Sequence, residues 1–200
     1  MFTCGAIMRN TREKIMSEAL KLFSRKGYEG VSVRDIAKKL NITPGALYKH
    51  YQGKRDIFDN ILREMEENDR MKAIEHHVPE DVFNNMPEAY RKTAIVDFKL
   101  FTLAMFRYWT EDEFASVFRQ MLTLEQYGSP EMSKLYQNYF GSGVIQYVED
   151  ILRENGIAQP ETAALSFYTP YYFLLNQYDV ASDKTKIFAL LQKYMKGISL

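Results

Sequence analysis

Four of the side chains between residues 34 and 50 that carry hydrogen-bond donors are candidates for contact with an acidic partner. They are Arg34, Tyr48, Lys49 and His50. Guanidinium and ammonium groups bind phosphate oxygens, and arginine can also donate two hydrogen bonds to the edge of a guanine. The run just before Leu47 has small side chains, so its backbone can approach a phosphate or a base edge closely. The pattern therefore predicts insertion into the major groove of DNA.

Two short predicted helices separated by a tight turn position these donors. Ser32 and Asp35 have the spacing of a capping box, and four apolar residues follow at the spacing of one helical face. They are Val33, Ile36, Ala37 and Leu40. Thr43 is the predicted cap of the second helix, and Pro44 falls at its first position, where a missing N–H costs nothing. Leu47 and Tyr51 point inward, so the pair has the pattern of a helix-turn-helix.

Helices on both sides complete this N-terminal region. Upstream, an apolar stripe ends in two basic residues and Gly27, a natural helix stop. Downstream, Gly53 interrupts the chain and another helix begins near Lys54. We therefore assign residues 1–8 to a disordered tail, 9–53 to a helix-turn-helix domain and 54–200 to a helical effector-binding and dimerisation domain.

Two runs of residues carry a resemblance to a known family. They are Gly-Tyr-Glu-Gly-Val-Ser-Val-Arg-Asp-Ile-Ala at 27–37 and Leu-Tyr-Lys-His-Tyr-Gln-Gly-Lys-Arg at 47–55. This region, roughly residues 9–65, closely resembles the DNA-binding domain of TetR-type transcriptional repressors. The rest of the chain matches that family only in length and helical character.

The resemblance implies roles for individual residues. Lys54 matches a phosphate contact at the start of the fourth helix, where the helix dipole also favours an anion. Tyr48 and His50 match positions that touch the DNA backbone, and Arg34 matches one that can bind a guanine. The remaining DNA-binding candidates are Ser32, Thr43, Pro44, Gly45, Ala46 and Lys49. Because three of the four positions on the recognition surface are small, we expect specificity from Arg34, Lys49 and DNA shape.

The charge distribution supports this interpretation. The whole chain has 26 basic and 26 acidic residues, but residues 1–57 have 12 Lys and Arg against 5 Asp and Glu. The remainder has 14 against 21. A basic N-terminal domain on an acidic body is typical of a DNA-binding protein, although solvated helix faces would also explain it.

The remainder of the chain predicts helices throughout. The expected spans are 54–76, 88–108, 112–126, 130–154, 163–178 and 183–198. Gly141 and Gly143 fall inside one of them, where they would permit a bend, a close helix contact or room for a ligand. The predicted fold class is all-α: a three-helix, homeodomain-like helix-turn-helix head joined to a larger ligand-binding and dimerisation body.

Aromatic and Met residues are concentrated in the middle helices, where TetR-like proteins enclose an effector pocket. Such residues suit a hydrophobic or aromatic small molecule, although most aromatic stripes are simply core. The ligand-binding candidates are Phe101, Met105, Tyr108, Trp109, Phe118, Met121, Tyr136, Tyr139, Phe140 and Tyr171.

The last two predicted helices are candidates for a homodimer interface. The first of these helices is apolar on all sides, so it needs partners on more than one face. In addition, a protein that binds palindromic DNA with two-fold symmetry needs two DNA-binding domains. The candidate interface residues are Phe167, Tyr168, Tyr172, Leu175, Ile187, Leu191 and Tyr194. Alternatively, both helices complete the core of a single chain.

Other chemistry is scarce. With three histidines and one cysteine, Cys4, the sequence has no catalytic constellation, disulfide framework or metal motif. We expect a cytoplasmic non-enzyme with no cofactor or metal, no membrane partner and an unidentified effector. The alternative is a helical ligand- or protein-binding module whose head does not serve DNA.

Overall fold

The computed structural model describes residues 4–78, 90 and 93–198, with only the backbone for residues 4–10. Within these ranges the chain forms ten helices and no strand, so the all-α prediction is confirmed. The helices are α1 (Cys4–Lys26), α2 (Val33–Lys39), α3 (Pro44–Tyr48), α4 (Lys54–Glu75), α5 (Ile95–Glu111), α6 (Glu113–Glu125), α7 (Pro130–Phe140), α8 (Ser142–Glu154), α9 (Pro160–Val180) and α10 (Lys184–Gly197). None of the helices in this part of the chain is long and apolar enough to cross a lipid bilayer.

The chain divides into two compact units. Unit 1 comprises Met1–Glu67 and Phe114–Ser133, and unit 2 comprises Asn68–Glu113 and Lys134–Leu200. The sequence predicts a domain boundary at residue 53, and this boundary stays a prediction. Unit 1 extends beyond that residue, because it also includes most of α4 and all but the first residue of α6.

Unit 1 is built on the apolar face of α1. Its fully buried residues include Ile15, Phe23, Ile36, Leu47 and Phe58, contributed by α1 to α4 in turn. This is the core that the helical spacing predicts. However, α1 begins at Cys4 and so includes residues 4–8, for which the sequence predicts a disordered tail. Nothing between Ala6 and Arg9 breaks a helix; residues 1–3 lie outside the described range.

In unit 2, α9 packs against α5, α8 and α10. Phe98 and Phe106 of α5 meet Phe167 and Tyr171 of α9, with ring centroids 5.3 Å and 5.6 Å apart respectively. Leu191 of α10 is fully buried. The long apolar helix predicted near residues 163–178 is therefore the central helix of this unit.

The predicted start of the helix at 88–108 needs correction. Residues 88, 89, 91 and 92 lie outside the described residues, Ala94 has an extended backbone, and α5 begins at Ile95. The buried Thr93 donates its backbone N–H to the Tyr90 carbonyl, which makes a turn. This turn is stabilised by the burial of Thr93 and Tyr90 in the tertiary structure. Apolar periodicity along the sequence therefore does not predict it.

The single helix predicted over 130–154 is wrong. It breaks at Gly141, whose backbone (φ −118°, ψ −133°) is outside the helical region and separates α7 from α8. A Cβ on Gly141 would lie 2.9 Å from the Cα of Gln137. One on Gly143 would lie 3.0 Å from the Cα of Asn138. Of the alternatives left open, Gly141 provides the bend and Gly143 a close backbone contact.

Candidate nucleic-acid interface

The cap of α2 is the one predicted from sequence. The Asp35 N–H donates to Ser32 Oγ at 3.2 Å, and the Ser32 N–H donates to Asp35 Oδ2 at 2.8 Å. The hydrogen bonds from Ser32 hold the pKa of the Asp35 carboxyl below its ordinary value. Arg34 follows the cap with its side chain exposed.

Helix α3 is short and capped at its start. Thr43 Oγ1 accepts from the Ala46 N–H at 3.1 Å, and Pro44 occupies the first turn as predicted. Leu47 is fully buried, whereas Tyr48 is 55% exposed. Pro44, Gly45 and Lys49 are also exposed. Within the described residues, neither Arg34 nor Lys49 donates a side-chain hydrogen bond, so both are available to an outside acceptor.

His50 is only partly available. The residue is half-buried, and its Nδ1 is buried without a hydrogen-bond partner in the described part of the chain. Ala46 is likewise half-buried, which leaves the exposed surface of α3 to Pro44, Gly45, Tyr48 and Lys49.

Lys54, at the start of α4, is already engaged within unit 1. Its Nζ donates to the Tyr28 carbonyl at 2.8 Å, lies 4.1 Å from the Tyr28 ring centroid and pairs with Glu29 at 3.3 Å. The Lys54 side chain is 21% exposed and that of Glu29 is 88% exposed. An incoming phosphate would therefore meet an ammonium group that Glu29 partly neutralises.

Three groups that support this interface were missed at the sequence level. The carboxylate of Glu125, at the end of α6, accepts from the Tyr28 N–H at 2.8 Å. Arg55 of α4 pairs with both carboxylate oxygens of Glu131, at 2.8 Å and 2.9 Å. Arg12 of α1 donates to the His50 carbonyl at 2.6 Å. These partners are 38 to 97 residues apart along the chain, beyond the reach of any local pattern.

The ligand-binding candidates do not all fall in one unit. Phe118 and Met121 are fully buried on α6 in unit 1, whereas the other eight belong to unit 2. Within unit 2 the Trp109 ring lies 5.1 Å from Tyr108, 6.0 Å from Tyr139 and 4.8 Å from Phe140, measured between centroids. We call these four residues the Trp109 cluster.

The other unit 2 candidates surround this cluster or lie apart from it. Tyr136 packs against Phe140, and its hydroxyl pairs with that of Tyr172. Tyr171 packs against Phe106, and Phe101 lies 6.0 Å from the His76 ring. The remaining candidate, Met105 of α5, is half-buried. Burial raises the pKa of the Tyr108 hydroxyl, which keeps it neutral as a hydrogen-bonding group.

Most of the predicted interface residues are used inside the chain. Phe167, Tyr168, Leu175 and Leu191 are buried, and Tyr172, Ile187 and Tyr194 are half-buried. Pro170 lacks the N–H that would bond the Ser166 carbonyl, and Tyr194 Oη donates to that carbonyl at 2.5 Å instead. Within one chain, these residues have the surroundings expected from the alternative prediction, in which both helices complete the core of a single chain.

The geometry defines the class of protein: an all-α chain with a capped helix-turn-helix whose second helix is exposed. Residues 15–61 match the profile described as Bacterial regulatory proteins, tetR family. The resemblance of this N-terminal segment to TetR-type regulators is therefore confirmed.

Individual relatives agree with this assignment. The chain is 40% identical over 52 residues to the biofilm operon icaADBC HTH-type negative transcriptional regulator IcaR of Staphylococcus aureus strain Newman. That match covers 26% of this chain and 28% of IcaR, so the chain aligns with about a quarter of that relative.

Solved structures extend the likeness in fold to nearly the whole chain. The SmeT–triclosan complex gives a TM-score of 0.65 at 17% identity, covering 93% of this chain and 90% of that one. The fatty acid degradation regulator FadR of Bacillus halodurans gives 0.61 at 16% identity, covering 93% and 94%. At these identities the likeness establishes the fold alone.

Proposed function

We propose that this protein is a transcriptional repressor that binds a palindromic operator as a homodimer and is released by a small hydrophobic or aromatic effector. The observation that carries the proposal is the exposed surface of α3. Pro44, Gly45 and Lys49 are exposed, as is Arg34 of α2, while the buried Leu47 fixes the helix to the core. An exposed recognition helix suits the major groove, and Arg34 and Lys49 add two exposed cations that make no internal side-chain hydrogen bond within the described residues.

Each DNA-binding candidate has a stated part in this proposal. Arg34 and Lys49 contact base edges, and Ser32, Thr43, Tyr48, His50 and Lys54 contact the phosphate backbone. Pro44, Gly45 and Ala46 allow the backbone of α3 to approach closely. Phosphate contacts supply most of the affinity, so binding should weaken steeply with salt.

The effector is proposed to bind beside the Trp109 cluster. The aromatic rings of this cluster and the hydroxyls of Tyr108 and Tyr139 suit a molecule with an apolar ring and one or two polar groups. SmeT, which shares this fold, was solved as a complex with triclosan, and this supports a ligand of the same chemical class as the effector of this protein. The effector must bind the DNA-free state more tightly than the DNA-bound state, because otherwise it shifts nothing.

Dimerisation is proposed to use the residues of α9 and α10 that the chain leaves exposed. Leu165, Phe173 and Val180 on α9 and Leu190 on α10 are each more than half exposed. Apolar residues repeated at this spacing along one helix favour contact with another helix. To meet successive major grooves, two chains joined in this way need their recognition helices ~35 Å apart, one helical turn of DNA.

The first test measures DNA binding directly. A duplex is selected by the purified chain from a random library, and fluorescence anisotropy compares it with a scrambled duplex of equal length. Arg34→Ala should weaken binding to the selected duplex about tenfold or more, the loss of one base contact, with little change on the scrambled duplex. Lys134→Ala, which removes an exposed charge from α7, is the matched control and should change neither.

Two outcomes would reject the proposal. If the library yields no enriched sequence and binding to DNA is undetectable at low salt, the helical binding module is the better description. If Arg34→Ala and Lys134→Ala behave alike on the selected duplex, the exposed face of α2 and α3 does not bind DNA bases.

A further inference from the structure

The guanidinium of Arg12 connects α1 to the end of the recognition helix. Nη1 donates to the His50 carbonyl at 2.6 Å, Nη2 donates to Asn60 Oδ1 at 3.2 Å, and the group lies 4.4 Å from the Tyr51 ring centroid. The Tyr51 hydroxyl donates in return to the Arg12 carbonyl at 3.1 Å. A single side chain thus makes three contacts, two of them on the turn that follows α3 and one on α4.

The contacts continue through α4 to the residue after Tyr51. Asn60 Nδ2 donates to the backbone carbonyl of Asp56 at 2.6 Å, and Asp56 Oδ2 accepts from the Gln52 N–H at 2.8 Å. The segment 50–52 is therefore held from both sides, by Arg12 and by Asp56. We call Arg12, His50, Tyr51, Asn60 and Asp56 the Arg12 network.

The recognition helix depends on such external support because it is so short. Helix α3 runs only from Pro44 to Tyr48, so it cannot fix its own direction by internal hydrogen bonds. Thr43 caps its start. At the other end, Leu47 and Tyr51 are buried, and Arg12 covers the Tyr51 ring while holding the adjoining carbonyl.

We infer that Arg12 is a positioning residue: through His50 and Tyr51 it fixes the angle at which α3 meets the major groove, and so sets sequence discrimination rather than overall affinity. The inference rests on the proposed DNA-binding function. A shift of a fraction of an ångström in α3 would move the side chain of Lys49, the residue next to His50, away from its base. Phosphate contacts from flexible side chains would tolerate the same shift.

The chain offers a conservative variant and a matched control. Arg12→Lys keeps the positive charge and the aliphatic stem, but one ammonium group cannot stack on Tyr51 while reaching both His50 and Asn60. Arg63 lines the same cleft, of about 280 Å³, and its Nε contacts the Asp59 carbonyl of its own helix, at 3.4 Å. Arg63→Gln therefore removes a charge from this cleft without touching α3.

The measured quantity is the ratio of dissociation constants for a scrambled and a wild-type-selected duplex, followed across a salt series. We expect Arg12→Gln and Arg12→Lys to reduce this ratio about tenfold, comparable to losing one base contact, with the salt slope unchanged. Arg63→Gln should leave the ratio at the wild-type value. Thermal melting of each variant reports the folded fraction, and Arg12→Lys serves if Arg12→Gln does not fold.

Two results would overturn the inference. If Arg12→Gln weakens both duplexes equally and lowers the salt slope by about 0.9, while Arg12→Lys restores both, Arg12 is a phosphate contact. If the variants melt at a lower temperature but keep the wild-type ratio, Arg12 only stabilises the fold. Failure of the wild-type chain to bind any duplex would instead reject the proposed function, and that result is distinct from both.

Discussion

Replacing Gly141 by alanine tests the break between α7 and α8, because local sequence and tertiary structure predict opposite signs. If residues 130–154 formed one helix, Gly141→Ala would stabilise it by about 1 kcal/mol. In the structure the new Cβ would lie 2.1 Å from Gln137 Oε1 and 2.9 Å from Gln137 Cα. The side-chain oxygen can move, but the Cα cannot move without shifting α7.

The magnitude follows from three contributions. Reduced freedom of the unfolded chain favours alanine by about 1 kcal/mol. Forcing the backbones apart costs about 1–3 kcal/mol, as overpacking does in cores. Gln137 Oε1 accepts from the Ser142 N–H at 3.1 Å, and losing this bond at the start of α8 costs about 1 kcal/mol more. We expect a net loss of about 2 kcal/mol in the free energy of unfolding.

Urea denaturation followed by tryptophan fluorescence measures this loss locally. Trp109 is the only tryptophan in the sequence, it is 5% exposed, and its ring lies 4.8 Å from that of Phe140, next to the break. With a denaturant slope of about 2 kcal/mol/M, the midpoint should fall by about 1 M.

Gly197→Ala is the matched control for this substitution. Gly197 ends α10, and a Cβ added to it would have no neighbouring atom within 4 Å among the described residues. Alanine there should therefore leave the midpoint unchanged or raise it slightly. A midpoint for Gly141→Ala at or above the wild-type value would refute the helix break and favour one continuous helix.

Three further predictions concern unit 1. Glu29→Gln should tighten binding to scrambled DNA at low salt by up to about fivefold, measured by fluorescence anisotropy. The reason is that it frees the Lys54 ammonium from an exposed ion pair worth at most about 1 kcal/mol. Weaker binding would contradict this. The hydrogen bond from Arg55 lowers the pKa of the Glu131 carboxyl, so the pair's contribution is complete above the unfolded pKa and is lost as the pH falls through the folded one. Urea midpoints of wild type and Glu131→Gln should therefore differ at pH 7 and converge as the pH falls below the folded-state pKa of Glu131, and a difference independent of pH would argue against the pair. Thr43→Ala should cost about 1 kcal/mol in urea unfolding by removing the cap of α3, whereas Thr43→Ser should preserve it.

The helix-turn-helix was predictable because its determinants are local. The caps at Ser32 and Thr43 join residues three apart, and the buried Leu47 follows from spacing along one face. The same rules gave the bounds of α6 and α10 to within about one residue. The exposed surface of α3 could be predicted from the sequence because it lies opposite the apolar face of the helix.

The predictions that failed depended on contacts between distant residues. A glycine within an apolar pattern does not reveal whether the helix continues, and at Gly141 the approach of Gln137 decides it. Similarly, an apolar helix such as α9 can bury its residues in its own chain or in a second one. Tyr194, a candidate for the second, is half-buried and donates to the carbonyl that Pro170 leaves unbonded, so its place in a dimer interface stays a prediction.

The sequence by itself determined the class of protein, since the capping residues, the small residues of α3 and the basic N-terminal region all act over a few positions. Only the tertiary structure decided which cations remain available. Lys54 is held by Tyr28 and Glu29, and Arg12 by the His50 carbonyl, whereas Arg34 faces outward. All three are basic residues of the same region in the sequence, and they differ because the fold brings carbonyl and carboxylate oxygens to two of them.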